Sequence, residues 1–178
     1  MTLISRIKTL GLLAFLSCLA LTACASSPPP PSSPPPSPPG SGLDWFNPTG
    51  MSVRGCDAQG CGSFGAPRGV GSHYGSDYEA TTGQEVYASV SGIVEKIGYP
   101  YADDLSFRYI KIAASDGTIV RELYVFPAPG LTVGDSVAAG TIIGTEQILS
   151  GRYPGITEHS HLDIETDDGY VDPETLIP

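Results

Sequence analysis

The three histidines of this 178-residue sequence are the first candidates for chemistry. His73 precedes Asp77 by four residues, and a single residue separates His159 from His161. Apolar residues alternate around the later pair, which predicts a strand with both imidazoles on one face, about 7 Å apart. Gly75 disfavours a helix in the earlier segment, and an extended backbone there would place His73 and Asp77 on one face. We therefore expect the two segments to meet in a cluster of imidazole and carboxylate groups.

Two imidazoles and a carboxylate around an open fourth position are typical of a catalytic zinc site. Water bound at the open position has a pKa near about 7, so hydroxide is available at neutral pH. A further imidazole beside the metal could transfer protons. Each motif alone is weak evidence, because an isolated H-x-H or H-x-x-x-D pattern is mostly a surface coincidence. The zinc hypothesis gains weight because every histidine of the chain falls in one of these two motifs.

Short strands must position these side chains. Alternating or β-branched residues predict strands at Glu85–Ala88, Gly92–Ile97, Phe107–Ala113, Thr118–Phe126, Ser136–Ala138, Thr141–Thr145 and His159–Glu165. Glycine- and proline-rich turn signals separate them, and the only helical signal is one turn near Pro173–Leu176. Residues 44–178 are therefore predicted to form a small all-β domain with a single core.

The overall charge excludes one class of function. The sequence carries 9 basic and 19 acidic residues, a net charge of −10 at pH 7, and it has no basic run. Nucleic acid and anionic lipid surfaces are both unfavourable partners for such a chain.

Residues 1–23 have the pattern of a targeting segment. Arg6 and Lys8 precede an uncharged stretch of 12 residues, Leu10–Leu21, which is shorter than a typical membrane-spanning helix. The sequence Leu-Thr-Ala-Cys that ends at Cys24 resembles a bacterial lipobox. That resemblance implies cleavage before Cys24 and its lipidation, and thus a lipid anchor in a bacterial membrane. The alternative is an ordinary secretory signal with an incidental cysteine.

Residues 24–43 are predicted to comprise the lipidated Cys24 and, from residue 25, a proline- and serine-rich linker. Nine prolines between Pro28 and Pro39 favour an extended polyproline II conformation, which would span roughly 35 Å. A ligand for a proline-binding groove is the alternative interpretation of this stretch. The residue directly after Cys24 is Ala25 rather than an aspartate, so we expect the outer membrane of the envelope, facing the periplasm.

Cys56 and Cys61 lie within the predicted domain. In an exported protein, such a pair predicts a disulfide across a turn. Closing so short a loop would be worth about 2 kcal/mol in the chain-entropy description. A redox or metal-binding pair is the alternative, although the spacing is longer than that of a C-x-x-C motif.

Glycine- and histidine-containing motifs follow one another through residues 53–175. They are Gly62–Gly69, His73–Asp77, Gly83–Ala88, Gly92–Val94, Val133–Gly140, Ile143–Gly144 and His159–His161. In this order they resemble the lysostaphin-type zinc metallopeptidases, antiparallel β proteins that cleave peptide bonds in peptidoglycan. The resemblance implies that His73, Asp77 and His161 bind Zn²⁺ and that His159 is a catalytic base.

One position departs from that family. The family has a further catalytic histidine in a Tyr-x-His pattern after a central strand, and here Phe126 follows Tyr124 at that place. Phenylalanine can neither donate a hydrogen bond to an oxyanion nor carry a proton. Loss of one such donor typically costs about 100- to 1000-fold in rate.

A second resemblance agrees with this departure. The segments Cys56–Gly62 and Tyr153–Ile156, followed by His159–His161, are similar to leukocyte cell-derived chemotaxin. That secreted animal family shares the fold and the zinc ligands, lacks the same histidine, and is regarded as a binding protein. Its short cysteine pair forms a disulfide, which the resemblance implies for Cys56 and Cys61 as well.

Two functional hypotheses follow. The first is a zinc-binding envelope lipoprotein that binds peptidoglycan peptides or regulates a cell-wall enzyme, with weak or no catalysis. The second is an active zinc endopeptidase of the cell wall. The ligand set fits both, and Phe126 favours the first.

Overall fold

A computed structural model describes residues 42–178 of the chain. The predicted signal segment, Cys24 and nearly the whole predicted linker lie outside these described residues. No helix within residues 42–178 is long and apolar enough to cross a membrane.

The described residues form fourteen strands and one short 3₁₀ turn. The strands are β1 (Cys56–Asp57), β2 (Gly60–Cys61), β3 (Pro67–Arg68), β4 (Gly71–Ser72), β5 (Ser76–Glu79), β6 (Glu85–Tyr87), β7 (Gly92–Gly98), β8 (Tyr109–Ala113), β9 (Ile119–Leu123), β10 (Val125–Pro127), β11 (Ser136–Val137), β12 (Ile142–Glu146), β13 (His159–Thr166) and β14 (Gly169–Val171). The 3₁₀ turn, Pro173–Thr175, begins after Asp172, whose side chain accepts a hydrogen bond from the Glu174 N–H.

Two antiparallel sheets account for most of the domain. The larger has the strand order β11-β7-β8-β9-β13-β14, and β5 pairs with the first half of β13 on the edge opposite β9. The smaller has the order β10-β12-β6, and two short hairpins, β1-β2 and β3-β4, complete the pairing. The predicted all-β, antiparallel fold with little helix is confirmed.

The core follows from alternation along the strands. In β8, Ile110 and Ile112 are fully buried while their neighbours are partly exposed, as expected for a strand with one face inward. The same apolar cluster includes Val86 and Ile143 of the smaller sheet and Leu162 of β13. Burial of these side chains fixes β13 in place, and β13 carries two of the three histidines.

The prediction of one continuous strand over Thr118–Phe126 is wrong, because the structure divides this segment into two strands. Tyr124 has φ 70°, and it separates β9 in the larger sheet from β10 in the smaller one. A side chain at positive φ is strained, and such a residue cannot continue a regular ladder. Alternation of apolar residues gave no sign of this break, because β-branched and aromatic residues flank it on both sides.

Candidate metal centre

Strand pairing brings the two histidine motifs together. β5 and β13 are antiparallel neighbours, and their register places Asp77 directly opposite His161. His73 lies between β4 and β5 rather than within a strand, so the expectation of one extended segment from His73 to Asp77 is correct only for its second half. A Cβ on Gly75 would clash with the Leu162 carbonyl and with the His161 ring. Glycine at that position therefore allows the loop to lie against β13.

Three ligand atoms converge on one point. Nε2 of His73 is 3.0 Å from Nδ1 of His161 and 3.2 Å from Oδ1 of Asp77, and those two atoms are 2.8 Å apart. Tetrahedral zinc with bonds of about 2.0–2.2 Å holds its ligand atoms roughly 3.3 Å apart. The observed triangle is slightly tighter, so one central ion would need only a small expansion. The donor set fits zinc.

Asp77 is oriented by two arginines on the far side of its carboxylate. Nε and Nη2 of Arg54 donate to Oδ2 at 3.1 and 2.8 Å, and Arg68 lies 3.4 Å from the same atom. Oδ1 is therefore left for the site. Burial alone would raise the pKa of Asp77, but hydrogen bonds from His161 and His73 outweigh it and hold that pKa well below its ordinary value.

The two candidate histidine ligands are also held from behind. Nδ1 of His73 is 3.0 Å from the Ser63 carbonyl oxygen and donates to it. Nε2 then carries no proton, and its lone pair is available to a metal ion. Nε2 of His161 is at ion-pair distance, 3.8 Å, from Asp163, which itself accepts from Nε of Arg121 at 2.8 Å. Burial alone lowers the pKa of His161, but Asp163 and Asp77 outweigh burial and raise it to about 9. A metal would have to displace that proton.

His159 lies beside this triangle without being part of it. The residues whose donor atoms form one compact group are His73, Asp77 and His161. Nε2 of His159 is 3.4 Å from Oδ1 of Asp77, and its Nδ1 is 2.7 Å from the Thr157 carbonyl oxygen, to which it donates. Burial lowers the pKa of His159, so its imidazole is neutral near pH 7 and can accept a proton.

Phe126 is separate from this group. It lies on β10 opposite Thr145, and 57% of its surface is exposed. Tyr124, not Phe126, contacts His159, with the two rings edge to face at 5.6 Å. The Tyr124 hydroxyl is 2.6 Å from that of Tyr101, and either hydroxyl can be the donor of this hydrogen bond.

The disulfide between Cys56 and Cys61 is confirmed, and it joins β1 to β2. This hairpin also supports the metal centre, because Nη1 of Arg54 donates to the Gly60 carbonyl at 2.8 Å and to Asp57 at 3.0 Å. Sequence reasoning missed Arg54. A single arginine 23 residues before its partner carries no motif that could reveal the contact.

Two animal proteins are similar to this chain in sequence. Leukocyte cell-derived chemotaxin-2 from Bos taurus is 29% identical over 111 residues, which are 62% of this chain and 72% of that protein. Myeloid protein 1 from Gallus gallus is 31% identical over 121 residues, which are 66% of this chain but only 36% of that protein.

Solved bacterial structures share the fold. The solution structure of lysostaphin aligns with a TM-score of 0.51 at 26% identity, over 65% of this chain and 47% of lysostaphin. Csd3 from Helicobacter pylori aligns with a TM-score of 0.57 at 20% identity, over 77% of this chain and 34% of Csd3. The chain thus spans about half of lysostaphin and a third of Csd3. The predicted lysostaphin-type fold is confirmed.

Residues 71–173, well over half of the chain, match peptidase family M23. This segment contains all three histidines, Asp77 and both major sheets. The chain therefore belongs to peptidase family M23.

Proposed function

We propose that this protein is a lipid-anchored component of the bacterial cell envelope whose zinc-binding M23 domain binds peptidoglycan peptides with weak or no catalysis. A regulatory contact with a cell-wall enzyme is the other form that such binding would take. The observation that carries the proposal is Phe126, a phenyl ring at the position where the resemblance calls for a histidine.

No histidine takes the place of the missing group. The sequence has no fourth histidine. The hydroxyl of Tyr124, two residues earlier, is bonded to Tyr101, which in turn accepts from Tyr153 at 2.7 Å. A scissile carbonyl would therefore lack one preorganised donor, which typically costs about 100- to 1000-fold in rate.

The metal site itself remains suited to binding. Bound zinc would supply a fixed positive charge and an open position for a carbonyl or carboxylate oxygen. His73, Asp77 and His161 would hold it, and Arg54 would keep Asp77 oriented through Oδ2. Because these ligands come from two distant segments, the same ion would also stabilise the domain.

The predicted anchor and linker support the cellular setting. A lipidated Cys24 would hold the chain at the membrane, and the proline-rich stretch after it would separate the domain from the surface by roughly 35 Å. Such a reach suits a domain that contacts the cell wall from a membrane. We propose the outer membrane, facing the periplasm, as its location.

An active zinc endopeptidase is the second candidate function. His159 favours it, because a buried neutral imidazole lies beside the candidate ligands with Nε2 3.4 Å from Asp77. In that case His159 would take the proton from the attacking water, and the reaction would proceed without the second histidine.

Incubation of the purified, zinc-loaded protein with isolated peptidoglycan would separate these functions. We expect the protein to sediment with peptidoglycan, to be released by a chelator, and to liberate no peptide fragments detectable by mass spectrometry. The His161→Ala variant is the control and should not sediment. Release of fragments that depends on zinc and on His159 would establish the endopeptidase instead, and failure to sediment would exclude peptidoglycan as the partner.

A further inference from the structure

A cavity of about 620 Å³ opens beside Phe126. Its wall includes Phe107, Ile148, Glu146 and Arg152, and none of the candidate metal ligands contributes to it. Gln147, another wall residue, donates its N–H to the carbonyl oxygen of Tyr124 at 2.8 Å, and the Tyr124 ring contacts His159. Its wall is therefore distinct from the ligand group, although Phe126 and Gln147 bring it close to Tyr124.

Glu146 is the unusual member of the wall. Only 3% of the surface of Glu146 is exposed, yet neither of its carboxyl oxygens has a hydrogen-bond partner within the described residues. Leaving a buried acceptor unpaired costs free energy, and buried polar groups are almost always satisfied in folded proteins. An unpaired buried carboxyl on a cavity wall points to a partner from outside the described residues.

The charged groups around Glu146 do not neutralise it. Arg152 is already paired with Asp103 at 3.2 Å and with Asp104 at 3.4 Å, and it lies 4.2 Å above the Tyr101 ring. Glu158 adds a second negative charge, held by hydrogen bonds from the N–H groups of residues 149 and 150. The wall thus has two carboxyl groups, and its one described cation, Arg152, is already paired with other carboxylates.

The rest of the opening is apolar. Phe126 and Ile148 are 57% and 58% exposed, which is high for side chains of this kind. An aliphatic chain could lie against both, and an aromatic face also attracts a cation. A buried, unpaired carboxyl together with exposed apolar side chains in one wall matches a flexible chain that ends in a positive charge.

We propose that this cavity binds a primary amine carried on an aliphatic chain, with the ammonium group paired to Glu146 and the methylene groups packed on Phe126 and Ile148. The proposal rests on the proposed function only in one respect: the natural amine would be a side chain of a peptidoglycan peptide. The Phe126 ring then has a use of its own in recognition.

Proton release is the expected signature of this pairing. Burial, reinforced by Glu158, raises the pKa of Glu146 to about 9, so the carboxyl is protonated at neutral pH and must lose that proton to pair with an ammonium ion. Asp104 and Arg152, the other charged wall residues, keep their charges, because the pKa of Asp104 is lowered and that of Arg152 is raised. Amine binding should therefore tighten about tenfold between pH 7 and pH 8, while an uncharged analogue should show no such change.

Calorimetry with two matched probes tests the proposal on the full chain. The probes are Nα-acetyl-lysine N-methylamide and its norleucine analogue, which has the same chain without the amine. Wild type should bind the lysine probe with release of about one proton per ligand, seen as a dependence of the heat on buffer ionisation. The Glu146→Gln variant should bind it about 10- to 100-fold more weakly, which is the range for hydrogen bonds to charged groups.

Glu122→Gln is the matched control. Glu122 is also fully buried with one unpaired oxygen, but it accepts from the Ser89 N–H and lies outside the cavity wall, so its replacement should leave binding unchanged. Equal binding of the lysine probe to wild type and Glu146→Gln would overturn the proposal. Equal binding of both probes to wild type, or binding without proton release, would overturn it even if the variant failed to fold. None of these outcomes depends on whether the domain binds or cleaves peptidoglycan.

Discussion

The metal centre and the Glu146 cavity differ in how they treat a buried carboxyl group. Asp77 and Glu146 are almost equally buried, at 2% and 3% exposure. Two arginines nevertheless donate to Oδ2 of Asp77, and histidines lie at hydrogen-bond distance from its Oδ1. The carboxyl group of Glu146, in contrast, has no hydrogen-bond partner among the described residues. Burial alone therefore does not decide the state of an acidic side chain; the positive groups around it do.

The two carboxyl groups should consequently respond to pH in opposite ways. The pKa of Asp77 is held below its ordinary value, so its contribution to stability is present at neutral pH and is lost as the pH falls through the acid range. The pKa of Glu146 is raised, so the folded state is favoured while the carboxyl is protonated and becomes less stable as the pH rises. Asp77 is therefore ionised at neutral pH, whereas Glu146 is protonated.

The largest expected effect is loss of zinc from the metal centre. Purified protein should carry about one zinc per chain, and His161→Ala should carry none, because two remaining ligands cannot complete a tetrahedral site. Elemental analysis after dialysis measures this directly. His159→Ala should keep its zinc, since His159 lies outside the ligand triangle. Full zinc content in His161→Ala would show that the ligand assignment is wrong.

The next effect concerns stability at alkaline pH. The unfolded carboxyl of Glu146 has a pKa near 4.5 and the folded one about 9, so the free energy of unfolding should fall as the pH rises through that interval. Glu146→Gln should remove this dependence and be more stable than wild type by a few kcal/mol, about 1.4 kcal/mol for each pH unit crossed.

Urea denaturation at pH 7, 8 and 9 isolates the contribution of Glu146. Burial raises the pKa of Glu122 to about 7, so Glu122 acts with the same sign but mainly below pH 7. Parallel pH curves for wild type and Glu146→Gln in this interval would mean that Glu146 is ionised and paired in solution.

A smaller effect should follow from restoring the missing histidine. Phe126→His places an imidazole where the family uses one to stabilise charge at the scissile carbonyl, and turnover of peptidoglycan should rise on the order of 100-fold. Zinc content should not change, because Phe126 is outside the ligand group. Mass spectrometry of released fragments is the measurement, with His159→Ala in the Phe126→His background as the inactive control. Wild type that already cleaves robustly would contradict the binding proposal.

The smallest effect concerns the hairpin that supports Arg54. Thiol labelling of the unreduced, denatured protein should modify neither Cys56 nor Cys61, as read from the labelled peptides. Replacing both by serine should lower the free energy of unfolding by about 2 kcal/mol while zinc remains bound, because the ligands themselves are untouched. Zinc loss in that variant would mean that the hairpin orients the site more strongly than its contacts with Arg54 indicate.

Sequence alone predicted the fold class, the clustering of the two histidine motifs and the disulfide pair, while the choice of candidate ligands came from the family resemblance. These features depend on local patterns: alternation along strands, the two histidine motifs and the short spacing between cysteines. A two-residue period fixes which face a histidine occupies, so His159 and His161 could be placed together before any pairing was known.

Tertiary structure decided the rest. Arg54 donates to Asp77, which lies 23 residues later in the chain. Tyr124, with φ 70°, directs the chain from one sheet into the other. Glu146 ends β12, and its carboxyl group has no hydrogen-bond partner among the described residues. Each of these features depends on which strands become neighbours and in what register. A slip of one residue in the pairing would move every side chain of a strand to the opposite face of the sheet. Local propensity carries no information about such long-range contacts, because the free energy that selects them comes from packing of the whole core.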